Sequence, residues 1–270
     1  MRFSDEQKQQ FEEDGYLIIR KLFSDGEMNA LVACCKSDAD MTRAAESVSD
    51  GDSSRPQPPR MIYNNYLQDD ISSAFVASRR VVDNVEFLLD DEVYHFHHKM
   101  MLKAPRVGVA WEWHQDYGYW YASNHCLYPD MLSCAIAVDP CTRENGCMQV
   151  LKGSQKCGRI EHMSVNNQTG ADPERVELLL ERHDLVYATM DPGDALFFHV
   201  NTLHRSDPNL SEHSRWILIG CYNTKHNSPF VEGSHPQYHP LKKVNDEDLM
   251  DIARSYAGLD GQVAESAIAK

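Results

Sequence analysis

A chain of 270 residues with 42% apolar and 25% charged side chains has the composition of a globular protein able to bury one sizeable core, and its length does not demand two domains. A formal net charge of −15 argues against a general affinity for nucleic acid or anionic membranes, both of which need cationic surface. It also disfavours a polyanionic substrate, unless a local pair such as Arg79-Arg80 overrides the global field.

The opening Met1-Arg2-Phe3-Ser4-Asp5-Glu6 is polar and acidic, so no secretory signal is expected, and no stretch approaches the roughly eighteen apolar residues of a membrane span. Ser4-Asp5-Glu6-Gln7 has the form of a capping box and predicts a short helix ending at Gly15. Residues 16–20 (YLIIR) read as a strand. Ser24-Asp25-Gly26-Glu27 is a second capping box, opening a helix whose Met28, Leu31, Val32 and Cys35 recur at helical spacing. Residues 47–60 (SVSDGDSSRPQPPR) cannot build a core. They are expected to form an active-site lid or a linker, with Arg55 and Arg60 either solvated or clamping an anionic group.

Residues 71–91 predict a helix. Short strands follow at 93–102, 111–116, 131–138, 147–151, 185–188, 195–199 and 215–222, separated by turn chemistry at Ala104-Pro105, Glu144-Asn145-Gly146, Asp191-Pro192-Gly193-Asp194 and Ser206-Asp207-Pro208-Asn209. Many short strands at this spacing indicate a sandwich or barrel. Loops at 47–60 and 158–184 are expected to set the substrate. The segment from Asn245 (NDEDLMDIARSYAGL) predicts a closing helix. The expectation is a mainly β fold with flanking helices in a single domain over 1–270: a helical and strand lead-in over 1–92, a β core over 93–225 and a tail over 226–270. The eight cysteines include no C-x-x-C pair and read as reduced, mostly buried thiols of a cytoplasmic protein.

The chemistry concentrates in Trp113-His114-Gln115-Asp116, answered by His204-Arg205-Ser206 and Arg215. Residues i and i+2 of a strand share a face, so His114 and Asp116 converge while Gln115 turns away. Two imidazoles and one carboxylate form a facial set suited to non-heme Fe(II), leaving positions open for a co-substrate and O2. Alone, a His-x-Asp is as readily a surface hydrogen-bonded pair. The later segment decides between them. Pro192-Gly193-Asp194 turns into the apolar strand Ala195-Leu196-Phe197-Phe198, His204 follows with Ser206 on its face, and Arg215 opens the strand RWILIGCY. A guanidinium binds a carboxylate through two parallel charge-assisted hydrogen bonds, and the head of an apolar strand is a poor place for a surface salt bridge.

These segments resemble the phytanoyl-CoA dioxygenase-like (PhyH) family of Fe(II)/2-oxoglutarate oxygenases, which includes ectoine hydroxylase. The helix–Gly–strand stretch from Phe11 to Phe23, the His-x-Asp strand through Tyr117, and Gly193-Asp194 through His204, Ser206, Asn209 and Arg215 are similar to the family's motifs. So is Glu144-Asn145-Gly146 through Gly153-Ser154, except that Lys152 and Gln155 replace the usual Pro and His. The resemblance implies a double-stranded β-helix (jelly roll, cupin-like). It also implies iron held by His114, Asp116 and His204, and the distal carboxylate of 2-oxoglutarate held by Arg215 and Ser206. Lys99 stands where the family places a further co-substrate contact. Related halogenases carry a small residue at the position of Asp116, so hydroxylation or another oxidation such as desaturation is implied, with O2 consumed and succinate and CO2 released.

Two further clusters compete for attention. His95-x-His97-His98 resembles a cupin's His-x-His, without a matching Glu and His, and is otherwise a set of imidazoles lining the same pocket. The aromatic run Tyr117, Tyr119, Trp120, Tyr121 is either packing or a substrate wall. Trp120 lies where ectoine hydroxylase has a tryptophan near its substrate, and with Tyr117 it suggests a wall able to take a cation from a small polar or zwitterionic molecule. The rival readings are a non-catalytic jelly-roll binding module and a cupin-like metalloenzyme using His95 and His97 without a keto acid.

Overall fold

The computed structural model describes residues 2–37, 60–106, 109–233 and 235–256. The expected lid at 47–60, with Arg55, lies outside the described residues but for the backbone of Arg60, which begins a strand.

Helix α1 (Asp5–Asp14) starts from the capping box, with Ser4 and Gln7 bonding each other's backbone N–H, and stops at Gly15 in the left-handed conformation. After β1 (Tyr16–Ile19), the second capping box joins Ser24 to Glu27 and opens α2 (Asp25–Ser37). The predicted helix over 71–91 is two helices, α3 (Ile71–Val76) and α4 (Arg79–Leu89), because the Ser78 hydroxyl bonds back to the Phe75 carbonyl and ends the first turn run. The closing helix α7 is Leu249–Tyr256.

Six antiparallel strands form the larger sheet, in the order β1, β10 (Ala195–His199), β5 (Met131–Ala137), β12 (Arg215–Thr224), β3 (Val93–Lys103), β2 (Arg60–Asn64). Side-chain alternation divides it cleanly. Leu132, Cys134, Ile136, Phe197, Trp216 and Leu218 face one apolar core shared with the helices, where Phe11, Leu31, Phe75, Val82 and Ala253 lie. Ala135, Ala137, Leu196, Phe198, Ile217 and Ile219 face a second core, shared with Val150 and Met148 of the smaller sheet. That sheet has the order β4 (Trp111–His114), β11 (His204–Ser206), β6 (Met148–Leu151), β9 (Leu185–Tyr187), again antiparallel. The fold is thus helices and antiparallel sheets combined, with the second core between the two sheets.

The segment 158–184, expected as loop, instead contains the hairpin β7 (His162–Val165)–β8 (Gln168–Ala171) and α6 (Pro173–Leu180). Its turn residues Asn166 and Asn167 both adopt positive φ, 48° and 64°, as a two-residue hairpin turn requires. Arg79-Arg80 does not form a free cationic pair, since Arg80 is bonded to Glu27, Asp246 and the Leu22 carbonyl.

Past the end of β12, His226 bridges Asp91 and Asp130, with both ring nitrogens bonded to carboxylates. The bonds to Asp130 and Asp91 hold its pKa above the ordinary 6.5. The folded imidazole therefore keeps its proton where the unfolded one loses it. The bridge stabilises fully below about pH 6.5 and fades as pH rises through the raised folded value. For a half-exposed ion pair the contribution is at most about 1 kcal/mol. Thermal unfolding from pH 6 to pH 9 should show a modest decline in Tm that is smaller in His226→Gln.

Candidate active site

The site is built from both sheets. His114 ends β4 and His204 begins β11, and the two are direct cross-strand partners, which brings their rings to 4.1 Å between centroids. Asp116 is not on the strand. The extended run stops at Gln115, and Asp116 is the first residue of α5 (Asp116–Ser123). Because Gln115 remains extended (φ −113°, ψ 134°), the carboxylate still returns to the side on which His114 lies. One donor atom from each of His114, Asp116 and His204 lies within 4.8 Å of the others, all three residues are buried, and among the described residues no other such group occurs.

The surroundings fix the protonation of each donor. The His114 Nδ1–H donates to the Glu112 carbonyl at 2.7 Å and the His204 Nδ1–H to the Thr202 carbonyl at 2.9 Å, so both Nε2 lone pairs are left for a shared ligand. Burial pushes both imidazoles below their usual range, which keeps them neutral. Burial pushes Asp116 up, but Lys99, the two histidines and a 2.7 Å hydrogen bond from Ser133 outweigh it and hold the carboxyl ionised. Two neutral nitrogens and one anionic oxygen fit a divalent first-row metal.

Gln115, expected only to face away, is a buried strut. Its Nε2 donates to the carbonyls of Gly158 and Asn201 at 2.8 and 2.7 Å, and its Oε1 accepts from the Ile160 N–H at 2.7 Å. Removing it strands three backbone groups at about 1 kcal/mol each. Gln115→Ala should therefore lose roughly 3 kcal/mol in urea denaturation, with the m-value unchanged.

His204 is delivered by the Pro192-Gly193 turn. Gly193 has φ +89°, and a Cβ there would meet the Phe23 carbonyl oxygen at 2.4 Å. Asp194 accepts from the backbone of Lys21 and Asp191 and from Arg20, locking the turn to the end of β1. Ser206 lies two residues beyond His204 on β11, and Arg215 heads β12. Arg215 is 2% exposed, and its Nε has no hydrogen-bond partner.

A cavity of about 360 Å³ between the sheets collects these groups. His114, Asp116, His204, Ser206, Arg215, Lys99 and Trp120 all line it. Tyr117 does not, which corrects its expected place in a substrate wall. On a helix it points away from the cavity, and its hydroxyl donates to the Leu127 carbonyl at 2.6 Å. Lys152 and Gln155 are not cavity residues either; they bond Asp14, Glu12 and Glu13 at the end of α1.

The His95/His97 pair is taken apart by a β-bulge. Cys221 pairs with His97 but Tyr222 pairs with His95, leaving Phe96 unmatched. His95 bonds His98 at 2.9 Å, whereas His97 faces the cavity. Sequence reading missed Tyr63 and His235, which join at its rim, and Lys103, buried opposite Arg215 in register. No helix among the described residues is long and apolar enough to cross a membrane.

The phytanoyl-CoA dioxygenase (PhyH) family model matches residues 11–217. L-proline trans-4-hydroxylase of Streptomyces griseoviridis is 26% identical over 249 residues, 87% of this chain and 90% of that protein. Ectoine dioxygenase of Bordetella bronchiseptica is 26% identical over 239 residues, 83% of this chain and 77% of that protein. In fold, the chain is similar to the crystal structure of EctD from S. alaskensis with 2-oxoglutarate and 5-hydroxyectoine. The TM-score is 0.73 at 24% identity, covering 90% of this chain and 88% of that one.

Proposed function

This chain belongs to the phytanoyl-CoA dioxygenase (PhyH) family and is an Fe(II)- and 2-oxoglutarate-dependent dioxygenase that hydroxylates its substrate, and on that premise we propose which residues carry the reaction and on what. His114, Asp116 and His204 hold the iron. Arg215 and Ser206 seat the distal carboxylate of 2-oxoglutarate, and Lys99 is a further contact for the keto acid. The observation that carries this reading is the buried triad with both Nε2 atoms and a carboxylate converging on one point, while a buried guanidinium whose Nε has no hydrogen-bond partner among the described residues lines the same cavity.

Bound there, Fe(II) and 2-oxoglutarate supply the O2 chemistry that yields succinate and CO2 and oxygenates a C–H bond. The protein's own part is orientation and exclusion of water. The Glu112 and Thr202 carbonyls hold the imidazole tautomers. Ser133 fixes the rotation of the Asp116 carboxylate. Trp120, packed edge-on against Phe96 and His97, forms a wall for a small polar or zwitterionic substrate.

The two antiparallel sheets with the site between them suit a double-stranded β-helix forming one domain over 1–270. Eight cysteines with no disulfide among them, seven of them buried, suit a cytoplasmic protein, and the formal net charge of −15 suits a small-molecule substrate rather than nucleic acid or a membrane. The dismantled His95/His97 pair gives the cupin-like alternative no second ligand set.

The test is anaerobic addition of Fe(II) and 2-oxoglutarate to metal-free protein. A visible charge-transfer band of the chelated keto acid is expected. No band from folded protein would sink this assignment.

A further inference from the structure

His97 is the one side chain in the cavity that is completely buried with neither ring nitrogen hydrogen-bonded, among the described residues. A strand of regular register would have placed His95 and His97 alike. The bulge at Phe96 re-aims His97 alone into the cavity, on the face it shares with Lys99 and Met101. Its ring is held by aromatic neighbours on several sides: Tyr63 at 4.7 Å, and Trp120 and His235 at 5.3 Å between centroids. Such a ring is positioned by packing, not by hydrogen bonds, and its polar atoms are kept for something else.

The rim beside it is also arranged to donate. The Asn124 side-chain N–H donates to His235 Nδ1, so His235 carries its proton on Nε2 and donates it to the Tyr63 hydroxyl oxygen. The Tyr63 O–H proton is thereby left to donate elsewhere. Lys99 adds its positive field to His97. Against these donors, Asp116 is the one acidic side chain among the described residues that lines the cavity, and the metal reading already engages it. Among the described residues an ammonium group would find aromatic faces there but no further carboxylate, whereas an anionic group finds donors.

We propose that His97, assisted by the Tyr63 hydroxyl, is the specificity-determining seat for a carboxylate of the substrate, so that the substrate is a small carboxylic acid. The inference rests on reading the cavity as the oxygenase's substrate pocket. A monoanionic carboxylate fits better than a phosphate monoester, since His97 is desolvated and electrically neutral before binding.

The experiment uses the whole protein saturated with 2-oxoglutarate. Linear and cyclic monocarboxylic acids of roughly five to ten non-hydrogen atoms, a size suited to such a cavity, are titrated beside their primary amides and beside methyl phosphate. Binding is read by tryptophan fluorescence, because Trp120 abuts His97, with and without Fe(II). We expect one or more acids to bind, and their amides and methyl phosphate to be silent. His97→Phe should raise the acid's Kd about 10-fold to 100-fold, and His97→Asn, which keeps a donor, should recover part of that. The keto-acid band should be the same in all three proteins. Binding of amides or methyl phosphate in place of acids, equal acid affinity in His97→Phe, or no acid bound at all would each overturn the proposal. The band is scored separately, so its absence indicts the iron assignment and leaves the acid titration in metal-free protein to decide on His97.

Discussion

Asp116→Ala is expected to abolish the keto-acid band and cut 2-oxoglutarate turnover by more than about 100-fold, the upper range for merely losing a group that supports a metal ligand. The expectation follows from what the carboxylate contributes. Among the described residues it is the one anion lining the cavity, facing Lys99 and two neutral imidazoles. Without it, a dication would meet two nitrogens and a net positive field. The fold should survive. The carboxylate's removal relieves a buried charge but leaves the Ser133 hydroxyl with the weaker Cys221 sulfur at 3.4 Å in place of its carboxylate acceptor, opposing effects of about 1–3 kcal/mol each. Metal-free wild type and variant should therefore unfold within about 2 kcal/mol of each other in urea. A folded variant that kept the band would remove Asp116 from the proposed ligand set.

That experiment targets what was most legible in the sequence, and the reason is local. His114 and Asp116 are separated by one extended residue, Gln115, so their convergence survives although the strand ends between them and the aromatic run beyond is helical. His204 and Arg215 follow punctuated turns that fix where each strand begins. The capping boxes at Ser4 and Ser24 read correctly for the same reason, since every participant lies within four residues. What the sequence hid is long-range or aperiodic. A bulge has no period, so nothing in His95-Phe96-His97-His98 announces that Phe96 is unmatched and that His95 and His97 part company. Tyr63 and His235 meet across a separation of 172 residues, which only tertiary packing decides. The β7–β8 hairpin was recoverable: Asn166-Asn167 is a pair that tolerates the two positive φ values of a tight turn. The break between α3 and α4 was not, because it carries neither Gly nor Pro.

Arg215→Met should act in opposite directions on stability and on co-substrate use. Burial lowers the affinity of the guanidinium for its proton. Its register partner Lys103 is also buried, and burial together with Arg215 pushes its pKa to about 6 despite Asp207. Arg215 has no salt bridge to a carboxylate among the described residues, and Asp139 acts on it only as a nearby charge. Lys103 relieves the corner by giving up its proton near neutral pH, and the buried Arg215 guanidinium that remains costs stability until an anion arrives. Replacing the guanidinium by an apolar side chain of similar length should make the ligand-free protein more stable by roughly 1–2 kcal/mol. The same change removes the proposed desolvated charge partner of the keto acid, worth about 2–5 kcal/mol. The KM for 2-oxoglutarate should then rise at least about 30-fold. Adding 2-oxoglutarate should raise the Tm of wild type by mass action and leave the variant unmoved. Arg215→Lys should fall between them, since an ammonium keeps the charge without the two-pronged geometry. A ligand-free Arg215→Met protein less stable than wild type would mean that the fold itself uses the guanidinium, and the carboxylate seat would have to be sought elsewhere in the cavity.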